Sequence, residues 1–278
     1  MIPVLFQIGP LKVYSYGLML GIGFLLGSFI LARELKRKKL DPNMASTVTV
    51  LAVIFGIAGA KILFLIEDWN HFVKDPIGMA FSPGGLTWYG GFILGLAAVI
   101  TYVRRKKVPV LRFLDALGVA LILAYGVARL GCHLSGDGDY GFPTDLPWGT
   151  NYENGTYPPS RAFAIFPEIT SQYPGGLVPD STPCHPTPVY ELLLGTLGFA
   201  ILWRLRKKPY PDGKLFMIYL MLSSTFRFLV EFLRLNPRII FGLSEAQVIS
   251  IPLFLAGLLI MLYLDRKQRA TKAQPAGR

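Results

Sequence analysis

The stretch Tyr14-Ser-Tyr-Gly-Leu-Met-Leu-Gly-Ile-Gly-Phe-Leu-Leu-Gly-Ser-Phe-Ile-Leu-Ala32, followed at once by Arg33-Glu-Leu-Lys-Arg-Lys-Lys39, decides the class of this chain. An uncharged apolar run of this length matches the ~20 helical residues that cross a hydrocarbon core. Its glycines, Gly17, Gly21, Gly23 and Gly27, weaken a helix in water. In a bilayer, small residues instead let helices approach closely. The basic block follows the apolar run instead of preceding it, which argues against a cleaved signal peptide.

Six further runs of the same kind lie at 46–66, 86–103, 113–131, 188–203, 215–232 and 247–264. The whole chain of 278 residues is 52% apolar and only 16% charged, with a mean hydropathy of +0.45. Soluble domains carry about 25% charged residues, so this chain has too little polar surface to coat a globule in water. Disorder demands the opposite balance. Two cysteines make neither a disulfide framework nor a four-thiolate zinc site.

The net charge of +11 suggests nucleic acid until the charges are placed. Five basic residues follow the first run, and five each lie in the loop 104–112, in the loop 204–214 and in the tail 266–278. These are alternate loops. The intervening ones are acidic or mixed, with Glu67, Asp68 and Asp75 in one and Asp137, Asp139, Asp145, Glu153, Glu168 and Asp180 in another. By the positive-inside rule the N-terminus lies outside, the C-terminus in the cytoplasm, and the chain crosses seven times. The partner implied by the charge is the lipid bilayer, not nucleic acid. The expected fold is an all-α integral membrane bundle of seven helices. Residues 1–131 hold helices one to four, 132–187 an outer head, 188–265 helices five to seven, and 266–278 a basic tail. The head is rich in Gly, Pro, Asp and Tyr, which favours a turn-rich folded cap over a disordered spacer.

Ionisable groups at membrane depth are costly and normally face the bundle interior or a wet cavity. Arg129 ends the fourth run; Arg227 and Glu231 lie in the sixth, Glu191 at the top of the fifth, and Lys61 in the second. Arg227, Glu231 and Arg234 share a helical face by their i, i+4, i+7 spacing. One reading is an intramembrane ion pair that fixes packing, with Arg234 snorkelling outward. The sharper reading has Arg129 and Arg227 jointly holding an anionic headgroup, because the guanidinium fork binds phosphate bidentately and stays charged when desolvated. Lys61 reads as a packing or snorkelling residue.

The run 83–91, Pro-Gly-Gly-Leu-Thr-Trp-Tyr-Gly-Gly, is either a turn leading into a close helix contact or a device projecting the Tyr89 phenol into a cavity. The run Gly131-Cys-His-Leu-Ser-Gly-Asp-Gly-Asp-Tyr-Gly141 looks like a ligand loop. Asp137 and Asp139 lack further ligands at metal spacing, so no metal is expected. Cys132 beside His133 is either a nucleophile or a packing thiol. No G-x-S-x-G, H-E-x-x-H or Walker pattern occurs.

The ordered set Ile8-Gly-Pro, Tyr16-Gly-Leu-Met, Gly84-Gly-Leu-Thr-Trp-Tyr-Gly-Gly, Ala128-Arg-Leu-Gly, His185-Pro-Thr-Pro-Val-Tyr-Glu-Leu-Leu-Leu, Phe226-Arg-Phe-Leu-Val-Glu-Phe-Leu-Arg and Gln247-Val-Ile-Ser-Ile-Pro resembles bacterial prolipoprotein diacylglyceryl transferase. The resemblance runs from about residue 6 to 265. It implies transfer of the diacylglyceryl group of phosphatidylglycerol to the lipobox cysteine of a preprolipoprotein, forming a thioether and releasing glycerol phosphate. It also implies an inner-membrane protein with a periplasmic active face and no cofactor. By motif position Arg129 and Arg227 match the family's two essential arginines, Tyr16 its first-helix tyrosine, and Glu231 and Arg234 the partners after the second arginine. Gly90, Gly91, His185 and Gln247 fall in matching motifs as substrate-binding positions, and Asp137 and Tyr89 as catalytic ones. The chain departs from the family pattern at Tyr89, where histidine is frequent, and at Cys132, Asp137 and Ser223. Rival readings are a relative with another acceptor or lipid, a non-enzymatic lipid-binding protein, and a transporter.

Overall fold

The computed structural model describes residues 1–9, 11–82 and 84–273. Pro10, Pro83 and the last residues of the basic tail, Arg278 among them, lie outside the described residues. Among the described residues seven long helices dominate: α1 (Ser15–Arg37), α2 (Met44–Glu67), α3 (Trp88–Arg105), α4 (Val110–Ser135), α5 (Thr187–Leu205), α6 (Lys214–Val230) and α7 (Glu245–Ala273). Three two-stranded antiparallel ribbons add to the helices: Val4–Ile8 with Leu11–Tyr14, Thr150–Asn151 with Pro183–Cys184, and Arg238–Ile240 with Leu243–Ser244. Six of the helices, among the described residues, are long and apolar enough to cross a membrane. The remaining one is α3, whose ends carry Trp88-Tyr89-Gly90-Gly91 and Arg104-Arg105 and so dilute its apolar middle. The chain is therefore a mostly helical, multi-pass membrane protein.

The backbone divides into two compact units, 28–116 and the two segments 1–27 and 117–278 taken together. In the first, α2 and α3 meet along glycine. A side-chain carbon added at Gly90 would sit 2.5 Å from Leu63 Cβ, and one at Gly91 would sit 2.7 Å from the Gly56 carbonyl oxygen. Contact this close is the advantage small residues bring where lipid supplies no hydrophobic drive for helices to associate. Thr87 donates its backbone N–H to the Ala60 carbonyl at 3.1 Å, fixing the start of α3. The Lys61 ammonium donates to the carbonyls of Ser82 (3.0 Å) and Gly84 (2.8 Å) and to the Ser82 hydroxyl (2.8 Å). It pins the turn that leads into α3. At the opposite end of this unit, Lys38 pairs with buried Asp115 at 2.7 Å and Arg37 with buried Glu34 at 2.7 Å.

In the second unit, helices again touch through small residues. Gly23 and Gly27 of α1 lie against Ala124 of α4, whereas nothing crowds Gly17 or Gly21. Gly126 of α4 approaches Gly195 and Leu192 of α5. The segment between α4 and α5 folds as a lobe with its own apolar core of Tyr140, Tyr152, Ala162, Phe163, Phe166, Ile169, Val178 and Cys184. Tyr140 and Tyr152 stack with ring centroids 4.1 Å apart, and the Tyr140 hydroxyl donates to the Tyr157 carbonyl at 2.8 Å. Burial pushes the Cys184 thiol up to about 12, so it stays protonated and acts as a core residue.

Candidate functional site

The crossing of α4 and α5 builds the site. Because Gly126 and Gly195 let the two backbones close up, Glu191 near the start of α5 reaches Tyr125 and Arg129 on the last turns of α4. The Tyr125 hydroxyl donates to Glu191 Oε1 at 2.5 Å, and Arg129 Nε lies 2.9 Å from Glu191 Oε2. Two more arginines arrive from the end of α6. Arg227 Nη1 donates to Glu191 Oε1 at 3.1 Å, and Arg234 Nη1 to Glu191 Oε2 at 3.1 Å. One buried carboxylate thus collects three guanidiniums and a phenol.

Two further carboxylates complete the cluster. Glu231 lies 3.0 Å from Arg227 Nη2 and accepts from the Asn236 amide. The i, i+4 pairing of Arg227 with Glu231 follows from their spacing on α6. Beyond Val230 the helix tightens into a 3₁₀ turn, Glu231–Leu233, and Arg234 leaves it with an extended backbone. That change of course corrects the snorkelling alternative: Arg234 is buried and points inward. Its Nη2 donates to Asp139 at 2.5 Å, and Asp139 also pairs with Arg129 Nη1.

Asp139 is delivered by the Gly-Asp-Gly-Asp run. Gly136 and Gly138 take φ of +59° and +90°, in the left-handed region that side chains disfavour, and so turn the chain back over α4. The Thr187 hydroxyl donates to the Asp139 carbonyl at 2.7 Å, and Gly141 N–H to the His185 carbonyl at 2.9 Å. Phe142 N–H donates to the Leu233 carbonyl at 3.0 Å, tying the run to the end of α6. Burial alone would raise the Asp139 carboxyl, but the Arg234 and Arg129 charges outweigh it and bring it down to about 2. Asp137 moves the other way, raised by burial and then by the charge of Asp139.

Tyr16 and Asp137 line one side of a cavity of about 450 Å³ together with Pro3, Tyr14, Gly17, Ser135 and Thr156. Tyr16 reaches this place because the backbone of α1 rests on Gly131, two residues after Arg129. Cys132 is buried, within hydrogen-bonding range of Arg129 Nη1 at 3.6 Å. The Cys132 thiol and the carboxylates of Asp137 and Asp139 lie within 4.8 Å of one another, a closeness that the spacing of the acids alone does not reveal. The Arg129 guanidinium contacts two of the three, Cys132 and Asp139.

Other residues picked out by sequence stand beside the cluster. Gln247 is fully buried and accepts from Arg238 Nη1 (2.9 Å) and Ser244 N–H (3.0 Å), while its Nε2 donates to the Phe228 carbonyl (3.2 Å). Arg238 in turn donates to the Glu231 carbonyl at 3.1 Å. Gln247 therefore braces the turn that carries Glu231 and Arg234. The His185 ring lies 3.2 Å from the Tyr190 hydroxyl, and burial lowers its basicity. Tyr89, Gly90 and Gly91 belong to the other unit: the two glycines face α2, and the partly exposed Tyr89 ring meets Trp88 edge-on. Sequence reasoning flagged Glu191 as a costly charge but gave it no role. The signal was that an acid in an apolar run must have a cationic partner.

The model of the family described as prolipoprotein diacylglyceryl transferase matches residues 3–263. The chain belongs to the prolipoprotein diacylglyceryl transferase family. It is 32% identical over 272 residues to phosphatidylglycerol–prolipoprotein diacylglyceryl transferase 2 of Clostridium perfringens, covering 97% of each chain. To the transferase of the same name from Clostridium tetani it is 31% identical over 260 residues, 93% of this chain and 96% of that one. Identity to the Staphylococcus haemolyticus transferase is 30% over 279 residues, covering 99% and 92%. The chain is thus an enzyme of lipoprotein biosynthesis, and the cluster brings together Arg129 and Arg227 with Arg234.

Proposed function

We propose that the cluster of Arg129, Arg227 and Arg234 is where this chain transfers a diacylglyceryl group from phosphatidylglycerol to the lipobox cysteine of a prolipoprotein. The observation that carries the reading is the gathering of three guanidiniums on Glu191 at the mouth of apolar helices. Such a concentration of fixed cations suits a phosphate ester, and the family's reaction begins with one. The thiolate of the acceptor attacks the glyceryl carbon, a C–S bond forms, and the C–O bond to phosphate breaks. The departing oxygen takes the electron pair and leaves as glycerol phosphate, whose phosphate takes up the proton that the thiol gives up. Arg129, Arg227 and Arg234 hold the phosphate and stabilise charge growing on the leaving oxygen. The same positive field lowers the pKa of an incoming thiol, which needs to be a thiolate to react.

In this reading the chain crosses the membrane seven times, with α3 as the third span. The N-terminus and the lobe 132–187 face the periplasm, and the basic ends face the cytoplasm of a bacterial inner membrane. Tyr16 and Asp137 contribute to the same outward-facing cavity, and His185, Glu231 and Gln247 keep the arginines in place. Gly90 and Gly91 seat the start of α3, and Tyr89 projects from it. The arginine field, not the Tyr89 phenol, generates the thiolate, because a phenol of ordinary pKa ~10 is almost wholly protonated at neutral pH.

One assay tests these roles: purified protein, phosphatidylglycerol and a peptide carrying a lipobox cysteine. Arg129→Ala and Arg227→Ala abolish thioether formation in this reading, while Tyr89→Phe keeps most of the rate. General-base assistance is worth about 10²–10⁴-fold. A folded Tyr89→Phe variant slowed by about a hundredfold or more transfers the proton to Tyr89 and removes the arginine field from that role.

A further inference from the structure

In the empty enzyme each guanidinium of the cluster is already paired with a carboxylate. Three guanidiniums, of Arg129, Arg227 and Arg234, face three carboxylates, of Asp139, Glu191 and Glu231. A lipid phosphate entering that fully paired network adds a negative charge at membrane depth, where an uncompensated charge is costly. One carboxylate must therefore yield its arginines.

The three carboxylates are not equally able to yield. Glu191 is 3% exposed and anchored by Tyr125 and all three arginines. Glu231 is 0% exposed and held by Arg227 and Asn236 at the foot of α6. Asp139 is 32% exposed and rides on a loop, not a helix. Its two oxygens are taken by two different guanidiniums, Oδ2 by Arg129 and Oδ1 by Arg234. Two oxygens of one phosphate would be held in the same way.

The geometry points to Asp139 as a placeholder for the substrate phosphate: its carboxylate occupies the phosphate seat between Arg129 and Arg234 in the empty enzyme and is displaced when lipid binds. This inference rests on the reading of the cluster as the headgroup site. Asp139 keeps two like-charged forks preorganised without substrate. Because its carboxyl is held low by those cations, it leaves by moving and not by taking a proton. Once the diacylglyceryl group has gone, Asp139 competes with glycerol phosphate for the same two arginines and helps to expel it. Asp139 is thus a positioning residue that sets both lipid affinity and product release.

The test is titration of phosphatidylglycerol into the full-length protein held in phosphatidylcholine nanodiscs, with soluble glycerol phosphate as a parallel probe. Removing the competing charge in Asp139→Asn or Asp139→Ser tightens binding of both probes by about tenfold. Asp139→Glu still competes and stays near the native affinity. In the transfer assay Asp139→Asn lowers KM and also lowers kcat, since product leaves slowly; a merely structural residue moves neither in that pattern. Unchanged or weaker binding in both neutral variants, or their failure to insert and fold, overturns the placeholder role. Native-like binding by Arg129→Ala and Arg227→Ala instead overturns the headgroup site itself, whatever the Asp139 variants do.

Discussion

The two ends of α6 use the same kinds of side chain to opposite effect. At its start, Lys214 donates to both oxygens of Asp265 on α7, at 2.7 Å each, and stacks over the Tyr210 ring. At its end, Arg227 divides its guanidinium between Glu191 and Glu231, and each of those carboxylates is shared with another residue. A one-to-one pair between flexible, partly wet side chains only staples two helices together. A shared network of planar guanidiniums holds charge in place while leaving individual contacts exchangeable. That property distinguishes a binding site from a staple, and the count of ion pairs does not reveal it.

Deleting the shared acceptor breaks this contrast most severely. Glu191→Ala leaves one buried and two partly buried guanidiniums without their common partner, and removing one side of a buried pair costs about 3–5 kcal/mol. Thermal unfolding in detergent is expected to show that loss, together with no detectable transfer. Arg227→Lys sharpens the contrast by preserving charge and removing the fork. Transfer falls by at least about a hundredfold, because a point charge cannot serve Glu191, Glu231 and a phosphate at once. Thermal stability of that variant changes little by comparison. Near-native turnover in Arg227→Lys would show that charge alone suffices at both ends of the helix. The smallest effect belongs to Asp265→Asn. A partly exposed pair is worth at most about 1 kcal/mol, so the melting temperature drops slightly and the transfer rate is unaltered. A large loss of activity there would mean that the staple, too, participates in the site.

Much of this was legible from residues alone. The length of the apolar runs and the placement of basic residues in alternate loops identify a multi-pass membrane protein before any contact is known. The cost of burying charge picks out Arg129, Arg227, Glu231 and Glu191, because such residues persist in apolar segments only with partners. Seven motifs in order then point to the family. The glycines of the first run were readable as packing residues in general, but only Gly23 and Gly27 are in contact with another helix.

What the sequence by itself determined are the features that depend on neighbours along the chain: spans, charge blocks, the Arg227–Glu231 pairing across one helical turn. Who shares Glu191 was decided only by the tertiary structure. Its partners lie 66 residues away at Tyr125, 36 at Arg227 and 43 at Arg234, and Asp139 meets Arg234 across 95. The burial of Arg234 also lay beyond a helical projection, because the helix gives way to a 3₁₀ turn and an extended residue, and spacing alone left open whether its long side chain snorkels outward. Periodicity describes a face only while the helix lasts. Charges in a low-dielectric setting then settle wherever folding supplies an opposite partner, and that choice is made by helix crossings such as Gly126 on Gly195, which no local pattern encodes.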